Sequence, residues 1–110
     1  MAKRKLNNQL ISKNQITEEI RFIQDSDNYY ISENGNVYVL YEHNMFLKKK
    51  LYQNKENGYM YCGIKYNGRM KATRVHRLVA IAFIQNLDKT RNIIGHKDNI
   101  KTNNRVDNLY

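Results

Sequence analysis

Two histidines and two clusters of cations are the residues of this chain whose types and spacing could do chemistry. His96 closes the short apolar stretch 93–96 and is followed by Asp98, Asn99, Asn103, Asn104 and Asn108. An imidazole among small carboxamides can act as a general base toward a water or a phosphate-bound nucleophile. The same spacing also suits a histidine in a turn, so catalysis stays open on these residues alone. His76, within "RVHRLVA", opens an apolar-periodic stretch, where a lone histidine is usually structural. Lys65, Arg69, Lys71, Arg74 and Arg77 form one basic cluster with no acid among them, and Lys48, Lys49 and Lys50 form another. Residues two apart on a strand share a face, so Arg69 and Lys71 are expected to project together, beside Lys65 across a hairpin. Such a two-stranded ribbon fits the major groove or lies along phosphates. A merely solvated face is the alternative.

The whole chain supports the charged reading. Its 110 residues carry 19 Lys and Arg against 10 Asp and Glu, a formal charge of +9. An excess of that size on one small domain attracts polyanions. Nine tyrosines offer rings that can stack on bases, so single strands and RNA stay open as partners beside duplex DNA. With Cys62 as its sole cysteine, the chain is neither a disulfide scaffold nor a CxxC zinc module. The longest apolar run, 78–84, is far too short to span a bilayer, and the charged N-terminus lacks the apolar core of a secretory signal. A cytoplasmic protein, with no membrane partner, is the expectation.

The elements that must hold these groups follow from pattern. Residues 1–17 read as a basic, flexible arm, and 18–110 as a single domain. "TEEIRFI" (17–23) fits a capped helical turn or a strand equally well. From 28 to 75 the chain reads as hairpins: "NYYIS" and "NVYVL" flank one Asn-Gly, and "GYMYCGIKY" and "RMKATRV" flank another. "FLKKKLYQ" (46–53) is a fifth stretch of mixed periodicity. Val75, Leu78, Val79, Ala82 and Phe83 fall on one stripe and predict an amphipathic helix over about 75–85. A polar connection (85–92) and an Asn-rich end complete an α+β domain with a small antiparallel sheet.

Three motifs in this order resemble the phage-type HNH homing endonucleases. They are "YYISENGNVYVL", "VHRLVAIAF" and "HKDNIKTNNRVDNL", and together they cover about residues 28–110. The resemblance implies a ββα-metal centre. In it, the His at the position of His96 activates water, one divalent ion such as Mg²⁺ or Mn²⁺ stabilises the leaving oxygen, and the Asn at Asn108 or Asn104 braces the loop. His76 corresponds to a structural position, and Asp98 and Lys101 to loop-shaping ones. Family members commonly place an Asp metal ligand directly before the catalytic His, where this sequence has Gly95. The family's other ligand lies on a helix expected to begin near Tyr110, so the motif reads as partial, lacking its final helix. A monomer is the family's expectation.

Three functions remain at this stage. The first is a duplex-DNA-binding domain that uses the basic hairpin, with impaired or absent cleavage, in a phage-infected bacterial cell. The second is a metal-dependent nicking enzyme with His96 as general base and Asp98 as a substitute ligand. The third is a phage protein that binds and inhibits a host protein.

Overall fold

The computed structural model describes residues 10–85 and 93–110. The first nine residues of the expected arm and all but the first residue of the polar connection lie outside this described part. Among the described residues the fold is α+β, as the pattern predicts, with two antiparallel sheets and one α-helix.

The first sheet holds β1 (Leu10–Ser12), β2 (Ile20–Phe22), β3 (Tyr29–Ser32), β4 (Val37–Glu42) and β5 (Met45–Lys48), in the spatial order β1-β5-β4-β3-β2. β1 corrects the expected arm. Leu10 lies opposite Leu47 and Ile11 opposite Phe46, and Ile16 is buried with Tyr38 and Phe46. Apolar residues too sparse for a helix still suffice for an edge strand, which needs one every second position. The undecided stretch 17–23 resolves as β2, because Arg21 pairs with Ile31 on the open edge of β3. The stretch 46–53 is not one element. It ends β5 at Lys48 and begins β6 (Tyr52–Gln53) in the second sheet, so the three lysines fall at the crossing between sheets.

The second sheet has the order β6-β7-β8, with β7 at Met60–Tyr66 and β8 at Arg69–Arg74. Asn67 and Gly68 form the two-residue turn between β7 and β8, with φ of +53° and +80°. Positive φ at both positions matches the strand twist, which is why Asn-Gly is favoured here. Asp27, from the turn before β3, accepts both backbone N–H groups of that tip, at 2.9 and 2.7 Å. One carboxylate thus ties the hairpin to the first sheet.

The helix α1 (Val75–Phe83) follows β8 directly. Val75, Leu78 and Val79 are buried on the expected stripe, together with Ile31 and Val37 from the first sheet and Cys62 and Ile64 from the second. Burial pushes the Cys62 thiol up to about 11, so it packs as an inert apolar group. Ile94 and Leu109 insert into the same core and pin the C-terminal segment.

The Asn34–Gly35 turn reaches that segment too. Ser32 Oγ accepts the N–H groups of Asn34 and Asn36, and the Glu18 carboxylate accepts Asn34, Asn36 and the Tyr38 hydroxyl. The turn so built donates nothing to the loop but accepts Val106 N–H at Glu33 O, 2.8 Å away. Gly35 has φ of +88°, and a Cβ built there would stand 3.0 Å from Asn104 Cβ and 3.2 Å from its carbonyl oxygen. Gly35→Ala should therefore lower stability by about 2 kcal/mol, through left-handed strain and crowding against Asn104. Urea unfolding checks this, and an unchanged midpoint would refute the close fit.

Candidate nucleic-acid interface and the His96 cleft

His96 sits on a short ribbon closed by backbone bonds. Gly95 N–H donates to Tyr110 O at 2.9 Å, Tyr110 N–H returns to Gly95 O at 3.1 Å, and Lys97 N–H donates to Asn108 O at 2.7 Å. Between these strands-in-miniature runs a loop held by asparagines. Asn108 Nδ2 donates to Asp98 Oδ1 and to Asn103 O, while Asn103 Nδ2 donates to Asp98 Oδ2. Asp98 Oδ1 also accepts Ile100 N–H. Bonds from Asn103, the Ile100 amide and Asn108 hold the Asp98 carboxyl below its usual range.

The two expected bracing residues therefore take different places. Asn108 touches the loop, whereas Asn104 touches the histidine itself: its Oδ1 lies 2.7 Å from His96 Nε2. With Nε2 as the donor in that contact, the lone pair is left on Nδ1. His96 and Asn104 are both buried, at 7% and 4% exposure, so this pair is held in one geometry.

His76 lies under the site. Its ring stacks on Tyr59, with centroids 4.7 Å apart at 22°, and stands 5.2 Å from the His96 ring. Burial, then the neighbouring His96, Arg74 and Arg77, pushes its pKa down to about 4. Its Nδ1 is buried with no hydrogen-bond partner. Tyr59 was not singled out by the sequence; it is one of nine tyrosines, and nothing in its spacing marks it.

A shallow cleft of about 190 Å³ opens beside His96, lined also by Tyr59, Asn99, Lys101 and Tyr110. No Asp or Glu side chain lines it among the described residues. At Gly95, a Cβ would meet the Tyr110 ring at 2.3 Å, so that ring stands where a side chain at this position would begin. Among the described residues no group of three or more His, Cys, Asp or Glu side chains is placed to hold a metal. Asp98 has both oxygens engaged within its own loop and does not fit the part of substitute ligand. The described residues thus do not form a site for a divalent ion.

The basic residues correct the expected ribbon. The two-residue turn sets Tyr66 opposite Arg69, Lys65 opposite Met70 and Ile64 opposite Lys71. Arg69 and Lys71 therefore share the face of Cys62 and Ile64, and Lys65 points the other way with Met70 and Arg74. The expected grouping of Lys65 with Arg69 and Lys71 fails because the tight turn shifts pairing by one. Even so, β8 is an edge strand, and Arg69, Lys71 and Arg74 are all exposed on it. Arg74 Nε donates to the Tyr61 hydroxyl at 3.0 Å, and its guanidinium lies over Tyr59 at 5.2 Å. Arg77, in the first turn of α1, is half-buried. Lys48 and Lys50 are exposed and Lys49 half-buried, at the crossing between sheets rather than on β8.

Comparison with solved structures gives a match to the phage enzyme in "DNA binding and cleavage by the HNH homing endonuclease I-HmuI". It has a TM-score of 0.71 and 33% identity, over 83% of this chain and 50% of that one. In both fold and sequence this chain resembles the HNH homing endonucleases. By sequence it is 40% identical over 83 residues to an uncharacterised HNH endonuclease of Acanthamoeba polyphaga mimivirus, covering 76% of this chain and 23% of that protein. It is 35% identical over 81 residues to DNA endonuclease I-HmuI of Bacillus phage SP01, covering 74% of this chain and 44% of the phage protein. The chain thus spans less than half the length of these curated relatives. No protein-family profile matches it. Within the HNH family frame, His96, His76, Asn104 and Asn108 gather at one place, whereas Gly95 departs from the family's pattern. No helix among the described residues is long and apolar enough to cross a membrane.

His76 makes stability depend on pH with a definite sign. Its folded pKa of about 4 lies below the ordinary 6.5, so the unfolded chain binds more protons between those values. Stability should fall as pH drops from about 6.5 toward 4, by on the order of 3 kcal/mol, with no further loss from this group below that. Urea midpoints across that window would show it. His76→Phe should flatten the dependence, and a dependence as steep as wild type would exclude His76 as its source.

Proposed function

We propose that this chain is an HNH-family domain that binds double-stranded DNA in an infected bacterial cell, with phosphodiester cleavage impaired or absent. The observation that carries this reading is the lining of the His96 cleft: Lys101, the rings of Tyr59 and Tyr110, Asn99 and the apolar Ile93 and Ile94, with the Tyr110 ring at Gly95 and no Asp or Glu side chain among the described residues. Cations there attract phosphate, whereas a divalent ion needs anionic oxygens to leave bulk water. The exposed cations of edge strand β8 supply further phosphate contacts, and the net charge of +9 supplies the long-range attraction. A strand edge can lie in or along a groove without disturbing the core behind it.

Binding of a short duplex should weaken steeply with salt. Arg69→Ala and Lys71→Ala should each flatten the plot of log affinity against log salt by roughly one unit. Equal slopes for wild type and both variants would take β8 out of the interface.

A second reading, a metal-dependent nicking enzyme, is favoured by the buried His96–Asn104 pair, which keeps the geometry of a general base. Supercoiled plasmid with Mg²⁺ or Mn²⁺ separates the two. The expected result is no more nicking by wild type than by His96→Ala. Metal-dependent nicking abolished in His96→Ala would replace the binding reading with the enzymatic one.

A further inference from the structure

Lys101 and Arg74 come from distant parts of the chain and converge on one ring. Lys101 Nζ lies 4.7 Å from the centroid of Tyr59, and Arg74 Cζ lies 5.2 Å from it. A cation over an aromatic face is held by the ring's quadrupole and keeps its outward donors free for a ligand. Each is also tethered by a hydrogen bond. Lys101 Nζ donates to Asn57 O at 2.8 Å, which uses one of three ammonium donors. Arg74 uses its Nε on Tyr61, the bond that steers its fork. The Tyr61 hydroxyl in turn takes Asn57 Nδ2 at 3.0 Å, so both tethers run through Asn57.

The rest of the cleft suits an anion as well. Tyr59 also faces His96, with ring centroids 6.2 Å apart at 26°, and His96 lines the same cleft as Lys101. The nearest carboxylate in the loop, Asp98, is spent on Ile100, Asn103 and Asn108. Tyr110 walls off the side above Gly95. Among the described residues that line the cleft, Lys101 brings positive charge and none brings an Asp or Glu side chain.

We propose that the cleft beside His96 binds a phosphate group without any metal, with Lys101 and Arg74, mounted on Tyr59, supplying the positive charge. The group is a phosphate of the DNA backbone or a free phosphate, and the chemistry of recognition is the same. The proposal rests on the DNA-binding reading only for the first of these sources.

The test uses the whole chain in EDTA and follows the His96 and Tyr59 ring resonances by NMR during titration with inorganic phosphate. A saturable shift that added Mg²⁺ does not strengthen is expected. Lys101→Met should weaken it on the order of tenfold or more, the scale of one lost charged hydrogen bond. Lys101→Arg should retain it, and Lys13→Met, just after the outer strand β1 and outside the cleft lining, should not alter it. Absence of any saturable shift in wild type, a shift that appears only with Mg²⁺, or equal binding by Lys101→Met would each overturn the proposal. Should Lys101→Met fail to fold, Arg74→Gln takes its place, with the same weakening expected and unchanged binding counting against the site. A duplex oligonucleotide forms the second arm. Phosphate shifts without duplex binding would uphold this site and defeat the DNA reading; duplex binding without phosphate shifts would do the reverse.

Discussion

Residues 93–110 hold one shape although they contain no regular strand and only one short 3-10 turn. Hydrogen bonds from side chains do the work that a ladder does elsewhere. Asn108 and Asn103 knit the loop through Asp98, Asn104 meets His96, and Ile94 and Leu109 anchor the ends in the core. Buried carboxamides are costly unless paired, so each one that is satisfied also removes competing conformations. The Asn34–Gly35 turn completes the enclosure, because its missing side chain lets Asn104 approach the backbone of the first sheet. The fixed position of His96 depends on that packing of turn against loop.

The two sheets play unequal parts around this centre. The first provides the wall behind Asn104 and half the core. The second carries Arg74, which lies over the Tyr59 ring just ahead of β7, and leaves β8 as an open edge. Open edges invite pairing with other chains, and cations along them discourage it. In the proposed function the same cations would meet a polyanion, so one feature would answer both solubility and binding. The register between β7 and β8 divides these charges between two faces of the sheet. A ligand reached by both sets must therefore wrap the edge rather than lie flat on one face.

The described lining of the cleft carries Lys101 and no Asp or Glu side chain. A metal-dependent phosphodiesterase surrounds its ion with oxygen donors, and the ion then holds the phosphate. Under the proposed reading, Lys101 and Arg74 would instead meet a phosphate with positive charge directly. His76 beneath the cleft is kept neutral by burial and by the surrounding cations, and so adds packing but no charge above about pH 4. Its unpartnered Nδ1 is a local cost accepted by the fold, consistent with a position chosen for stacking on Tyr59.

The sequence by itself determined the elements whose signals are local. The two Asn-Gly turns, the stripe of Val75, Leu78 and Val79, the basic excess and the family motifs were all legible, because turn chemistry and periodicity act within a few residues. It also marked Gly95 as a departure from the family. Only the tertiary structure decided that Leu10–Ser12 joins a sheet, since a three-residue edge strand has too little pattern to stand out. It alone set Lys65 apart from Arg69 and Lys71, because one residue of register reverses a face. It alone brought Lys101 to Tyr59 and Gly35 to Asn104. Contacts across dozens of residues leave no trace in local composition, because they arise from how separately specified elements fill a common core.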